Sequence, residues 1–298
     1  MHRMSSESSI CPRAVIVAIL NTNRARDFTP THVNPGKSQD TRRAASGGGE
    51  RFTRFLEEEL IPHIEKNYPA SNERLLIGHS LGGLLVINTL IKHPHLFDKY
   101  LAIDPSLWWD DWKLIRESEQ VLKDHDFAGK SLYVAIAKTV PIDTVLALQD
   151  TSQSTSHFRA ITQFVGTLKK TPHGLDWHSR FYPEENHGSV ALVSELDALR
   201  FLYRKIPIKI ERAALKLFEG RYKHQFEKGV DSFLDVVAED NLLMVKESWS
   251  AFPMKFSPID SSEFYCFQKD FPMTFKTDKD GEVSELVAFN TDVWKKVR

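Results

Sequence analysis

Cysteine is scarce in this 298-residue chain: only Cys11 and Cys266, near opposite ends. That spacing gives no disulfide framework and no C-x-x-C pattern for a metal or a redox pair. Net charge is equally scant, a formal -1 at pH 7 from 39 basic and 40 acidic residues. A near-neutral chain without basic clusters carries neither a nucleic-acid footprint nor a polybasic membrane patch. Long apolar runs are missing as well. The one near the start, Ala14 to Leu20, is too short for a signal-peptide core and ends in polar Asn-Thr-Asn-Arg, which excludes a membrane span there and favours a cytoplasmic protein. No internal repeat stands out.

What is present, from Ala14 to about Lys205, is an alternation of short apolar runs with longer amphipathic ones, the pattern of a parallel sheet wrapped by helices. Strands are expected at 14–20, 74–78, 99–104, 131–137 and 177–183. Helices are expected in ERFTRFLEEELIPHIEKNY, LGGLLVINTLIKHP, WKLIRESEQVLKDH, HFRAITQFVGTLKKT and VALVSELDALRFLYRK. After Pro207 the texture changes to short β-like pieces separated by turn signals. Asp278-Lys279-Asp280-Gly281 lies among them and reads as a hairpin turn, because an EF-hand register would find Lys276 and Val287 at its first and last ligand positions. The expected fold class is therefore α/β, a mostly parallel sheet flanked by helices, with a small C-terminal antiparallel β module. Domains are expected at 1–207 and 208–298.

The chemistry is concentrated in Gly78-His79-Ser80-Leu81-Gly82, a G-x-S-x-G sequence between a strand-like and a helix-like run. A serine reached by a strand and left by a helix sits on a tight turn that lifts its hydroxyl clear of the sheet. Serine is a weak nucleophile at neutral pH, so a base must take its proton and a carboxylate should fix the base's tautomer. In the chain order serine, acid, histidine, His187 in PEENHGSV is the best base, lying just beyond the last expected strand. His157, His173 and His178 read as surface or packing residues. The acid is sought after the strand at 131–137, where Asp143 is nearest and Asp150, Glu184 and Glu185 are alternatives. No metal and no organic cofactor is needed.

With these residues the chain resembles the Putative esterase branch of the α/β-hydrolases, a group that includes enterochelin esterases. The resemblance also rests on VIVAILNTNRARDFTPT, SGGGERFTRFLEEELIPHIEKNYP, IDPSLWWDD and YPEENHGSV, and it spans residues 14 to about 205. It implies an α/β-hydrolase fold, Ser80 as nucleophile, His187 as base and the Leu81 amide as one oxyanion donor. It further implies Trp108 and Trp109 as walls of the substrate site or packing at the core edge, and Arg24 either paired with Asp27 or touching substrate. The family carries several strands and a Tyr-Pro-Val-Leu-Tyr-Leu-Leu-Asp-Gly-like segment before the strand matched by 14–20, whereas this chain has MHRMSSESSICPR there. Either the sheet has a gap beside the elbow strand, or residues 14–20 move into it with Asn21 or Thr22 as the second oxyanion donor. The expected activity is hydrolysis of a small-molecule ester through an acyl-enzyme, with substrates from short acyl esters to siderophore lactones. The alternatives are acyl transfer by the same residues, a non-catalytic hydrolase-fold binding protein, or an impaired, shortened esterase. Oligomeric state is left open.

Overall fold

The computed structural model describes residues 10–20, 23–34, 44–170, 173–225, 229, 231–288 and 291–297. They fall into two compact units, one of Ala14–Leu202 and one of Tyr203–Arg298 with the N-terminal segment up to Arg13. No helix among the described residues is long and apolar enough to cross a membrane.

The first unit is built on strands β1 Leu75–His79, β2 Lys99–Ile103, β3 Ser131–Ala137 and β4 Asp176–Tyr182. They pair in parallel in chain order, β1-β2-β3-β4. β2 and β3 are buried almost throughout, which their unbroken apolar sequences suit and which requires cover on both faces. The flanking helices are α1 Arg24–Phe28, α2 at 49–67, α3 Leu81–Lys92, α4 Trp109–Asp124, α5 Thr144–Gln149, α6 Ser156–Lys170 and α7 Val190–Leu202. Helix α2 opens as Gly49–Phe55, passes through a π turn at Leu56–Leu60 and ends as Ile61–Asn67. From Gly82 to Ile91 every residue of α3 is buried, so this helix is enclosed on all sides and, Asn88 and Thr89 apart, apolar all round. A polar chain joins β3, β4 and α7: the Tyr133 and Tyr182 hydroxyls lie 2.8 Å apart, and Tyr182 donates to Asp197 Oδ2, which also accepts from Arg180.

One expected strand is absent. Residues 14–20 form no strand and lie exposed, Leu20 at 93% and Ile16 at 64%. Backbone N–H and C=O groups hold a strand only by pairing. Among the described residues nothing pairs with the outer side of β1, so the elbow strand is an edge and Ile77 is 43% exposed. Of the two arrangements the resemblance allows, this is the gap.

Helix α4 departs from helical geometry near its start, where Asp110, Asp111 and Trp112 have φ of 50°, 50° and 63°. Consecutive non-glycine residues in the left-handed region are costly and need outside support. Arg116 donates to the Asp111 carbonyl, Trp112 Nε1 donates to Ser156 Oγ at 3.1 Å, and the Arg159 guanidinium lies 5.2 Å from the Trp112 ring centre.

The second unit corrects the expectation of a small β module. Strands β5 Gly220–Gln225, β6 Asp231–Glu239, β7 Leu242–Glu247, β8 Met254–Pro258, β9 Glu263–Cys266, β10 Phe271–Thr277, β11 Val283–Ala288 and β12 Asp292–Lys296 form a closed antiparallel barrel. Alternation along β6 and β8 sends every second side chain inward, and Tyr222, Phe256, Phe264 and Trp294 fill the interior. The Asp278 turn joins β10 to β11 as a hairpin, its Oδ1 accepting from the amides of Asp280 and Glu282. Both cysteines are buried and unpaired with each other.

Two glycines let α3 settle on the sheet. A Cβ on Gly78 would lie 2.2 Å from the Gly82 carbonyl oxygen, and one on Gly83 would lie 2.9 Å from Pro105 Cα. Gly166 in α6, by contrast, has open space around it. Gly78→Ala is therefore expected to destabilise the fold by about 1–3 kcal/mol, while Gly166→Ala stabilises it by about 0.5–1 kcal/mol. Thermal unfolding of the two variants beside the wild type checks both signs.

Candidate active site

Ser80 stands where β1 turns into α3, with φ 62° and ψ -118°, a strained conformation for a residue bearing a Cβ. The strain is held from both sides: Ser80 N donates to the Ile103 carbonyl, and Ser80 O accepts from the amides of Leu84 and Ser106. The hydroxyl is thereby raised off the end of the sheet. Leu81 begins the helix, so its amide has no carbonyl to bond within the helix.

His187 comes from the loop between β4 and α7. Its Nε2 lies 3.1 Å from Ser80 Oγ and its Nδ1 lies 2.5 Å from Asp104 Oδ2. The serine and histidine anticipated from the sequence are thus brought together. The anticipated acid is not. Asp143 is exposed, and its Oδ1 accepts from the amides of Val145 and Leu146 as the cap of α5. Asp150 is spent on Ser152 and Thr155.

The carboxylate on His187 is Asp104, which ends β2 with φ 41° and is fully buried. Its Oδ1 accepts from Ala137 N at 2.9 Å at the end of β3, and its Oδ2 accepts from both His187 and His157 Nε2, the latter at 2.9 Å. Burial works to raise its pKa, yet the hydrogen bonds from His157 and His187, the charge of His157 and the Ala137 amide outweigh it and hold the group at about 2. The carboxylate that bonds His187 thus lies one strand earlier than the sequence led one to expect. The signal was there, an aspartate closing the apolar run KYLAID at the carboxyl end of a strand, where functional residues of parallel sheets gather.

Two further neighbours went unanticipated. His79 Nε2 donates to the His187 carbonyl at 2.7 Å, and the two rings lie 4.5 Å apart. Burial first, and then the adjacent His187, hold His79 below the ordinary imidazole value. Ser106 Oγ is 3.3 Å from Ser80 Oγ.

Trp109 is a core residue, 5% exposed with Nε1 donating to the Thr31 carbonyl, and it lines a small cleft with Pro30 and Lys113 that includes none of Ser80, Asp104 or His187. Trp108 is half-buried against the core, its ring 5.9 Å from that of Trp109. Arg24 does not pair with Asp27. Asp27 takes Arg26 at 2.7 Å, while Arg24 donates to the His79 carbonyl at 3.2 Å and lies over the Phe28 ring. Asn21 and Thr22, the proposed second oxyanion donors, lie outside the described residues. Asp104, His157 and His187 offer ligand atoms within 4.8 Å of one another. Each of those imidazole nitrogens already directs its bond at Asp104 Oδ2, which makes the cluster a hydrogen-bond network around one anion.

The depressed pKa of Asp104 has a consequence for stability. A carboxyl at about 2 in the folded chain against 3.8 ordinarily contributes its full stabilisation above pH 4 and loses it as pH falls toward 2. The contribution is roughly 2 kcal/mol. Chemical denaturation of wild type and Asp104→Asn across this window is expected to show the stability gap between them narrowing as pH falls.

Residues 2–164 match the family described as Putative esterase. The ferri-bacillibactin esterase BesA of Bacillus subtilis is 31% identical over 217 residues, covering 67% of this chain and 70% of that protein. A siderophore enterobactin esterase of Emericella nidulans is 32% identical over 112 residues, 35% of this chain and 37% of its own length. Among solved structures, an IroE-like serine hydrolase from Shewanella oneidensis superposes with a TM-score of 0.56 at 35% identity, covering 65% of this chain and 62% of that one. The chain thus spans less than two thirds of the Shewanella protein and little more than a third of the Emericella one. By its matched sequence, its parallel sheet and its serine elbow, this chain belongs to the Putative esterase family of the α/β-hydrolase fold, among relatives that include siderophore esterases.

Proposed function

We propose that this chain hydrolyses carboxylic esters with Ser80 as nucleophile, His187 as general base and Asp104 as the acid that orients it. The observation that carries this reading is the unbroken run of hydrogen bonds from Ser80 Oγ through His187 to the buried Asp104. Ser80 Oγ attacks the ester carbonyl while His187 Nε2 takes its proton. Asp104 stabilises the imidazolium that results and keeps Nδ1 as the protonated nitrogen. The carbonyl oxygen gathers charge beside the Leu81 amide. Collapse of the tetrahedral intermediate expels the alcohol, which receives the proton from His187. Water then repeats the sequence on the acyl-enzyme and frees the acid.

The names of the relatives support a siderophore ester as substrate, and Arg24, exposed beside the elbow, would supply positive charge toward an anionic one. A second reading, an impaired esterase, is favoured by the open outer edge of β1. The loop after the strand that neighbours the elbow is the usual source of the second oxyanion N–H. Loss of one such donor lowers turnover by about 100-fold to 1000-fold.

The test is fluorophosphonate labelling and hydrolysis of a short-chain p-nitrophenyl ester and a siderophore lactone. Labelling that disappears in Ser80→Ala is expected, together with a fall in turnover of about 10⁴-fold in Asp104→Asn. Asp143→Asn is expected to leave turnover near that of the wild type. A folded wild type that neither labels nor turns over either ester sinks the proposal. Labelling with turnover 100-fold to 1000-fold below that of a related esterase assayed alongside is the signature of the impaired form.

A further inference from the structure

Asp104 is hydrogen-bonded by two histidines, and only one of them touches the nucleophile. We infer that His157 is a positioning residue for ester hydrolysis, fixing the Asp104 carboxylate so that His187 stays aligned on Ser80; this rests on the catalytic reading proposed above.

An aspartate side chain can rotate about its Cβ–Cγ bond and exchange its two oxygens, and a rotation at Asp104 would carry His187 off the serine. Ala137 N, at the end of β3, holds Oδ1 at 2.9 Å. His157 Nε2, from α6, holds Oδ2 at 2.9 Å. Two donors from two different elements define the plane of the group before His187 is considered. His187 then approaches the same Oδ2 at 2.5 Å. The His157 ring stands at 88° to the His187 ring with centres 5.3 Å apart, so its edge also limits how far His187 can tilt.

His157 is itself held. It is the second residue of α6, and the start of that helix is tied down on several sides. Trp112 Nε1 donates to Ser156 Oγ, while Arg159 donates to Thr155 Oγ1 at 3.0 Å and to the Ser152 carbonyl at 2.9 Å and covers the Trp112 ring. This gives the left-handed stretch Asp110–Trp112 a purpose, since it delivers the indole that anchors the helix end carrying His157. Of the other ionisable groups near the site, His79 Nε2 donates to the His187 carbonyl and Arg24 donates to the His79 carbonyl, so neither bonds Asp104.

Among the described residues His157 bonds Asp104 and not Ser80, so its loss should act on the rate of the chemical step and leave substrate binding alone. In His157→Ala, kcat is expected to fall about 10-fold to 100-fold, the size of one lost charge-assisted hydrogen bond to a buried carboxylate, with KM nearly unchanged. His157→Gln, which keeps an N–H donor, is expected to recover most of the loss. A second readout is independent of turnover. The proton between His187 Nδ1 and Asp104 is expected as a far-downfield proton resonance that disappears in Asp104→Asn, shifts and exchanges faster with water in His157→Ala, and returns toward its original position in His157→Gln. If His157→Ala does not fold, His157→Asn and His157→Gln carry the comparison. A His157→Ala protein with wild-type kcat and an unmoved resonance overturns the inference. A wild type without turnover overturns the esterase reading instead, and the resonance still decides whether His157 holds Asp104.

Discussion

The organisation of the site follows from one buried negative charge. Asp104 sits with no exposed surface at the end of β2, and an ionised carboxylate there is tolerable only if its oxygens are bonded on every side. The surroundings meet that demand from three elements: the Ala137 amide at the end of β3, His157 from α6 and His187 from the loop after β4. Because β1, β2 and β3 are adjacent and parallel, their carboxyl ends lie side by side, and Ser80 is raised beside the same anion. The charge that binds His187 also draws the ends of the sheet and the start of a helix into one place. Removing any of its partners leaves a buried charge short of a bond, which is why structure and chemistry are hard to separate here.

Much of this was legible in the chain. Short apolar runs and 3.6-residue patterns marked β1 to β4 and the long helices, because burial in a parallel sheet imposes unbroken apolar runs and burial of a helix face imposes its spacing. The proposed nucleophile and base, Ser80 and His187, were legible because a nucleophile elbow needs small residues at fixed offsets and its base needs a loop beyond a strand. The acid was not, since strand-end aspartates look alike in sequence and only packing shows which reaches the imidazole. Asp143 satisfied the expected chain order, yet its carboxylate serves as a helix cap. Residues 14–20 had the composition of a strand, but composition supplies no pairing partner, and without one the segment lies exposed.

The glycines around the elbow show a related limit of motifs. In G-x-S-x-G the second glycine is Gly82, whose hypothetical Cβ would meet nothing nearer than the Phe28 ring at 3.8 Å. The close approach to Pro105 falls to Gly83, one position beyond the pattern. The doubled glycine therefore divides its work: the motif position is roomy, and its neighbour allows α3 to lie against the segment that carries Asp104 and Ser106.

The barrel is closed by pairing its first strand with its last, Lys223 opposite Lys295 and Tyr222 opposite Lys296. Hairpins such as β6–β7 and β10–β11 join neighbours in sequence and can form early, but this seam spans the whole module. As the chain leaves the ribosome, β5 has only one of its two neighbours until the final strand emerges, and the interior that Trp294 fills has no plug. The module is thus completed only after every strand of the first unit has emerged. Until then its open edge offers the growing chain a place to pair with the wrong strand.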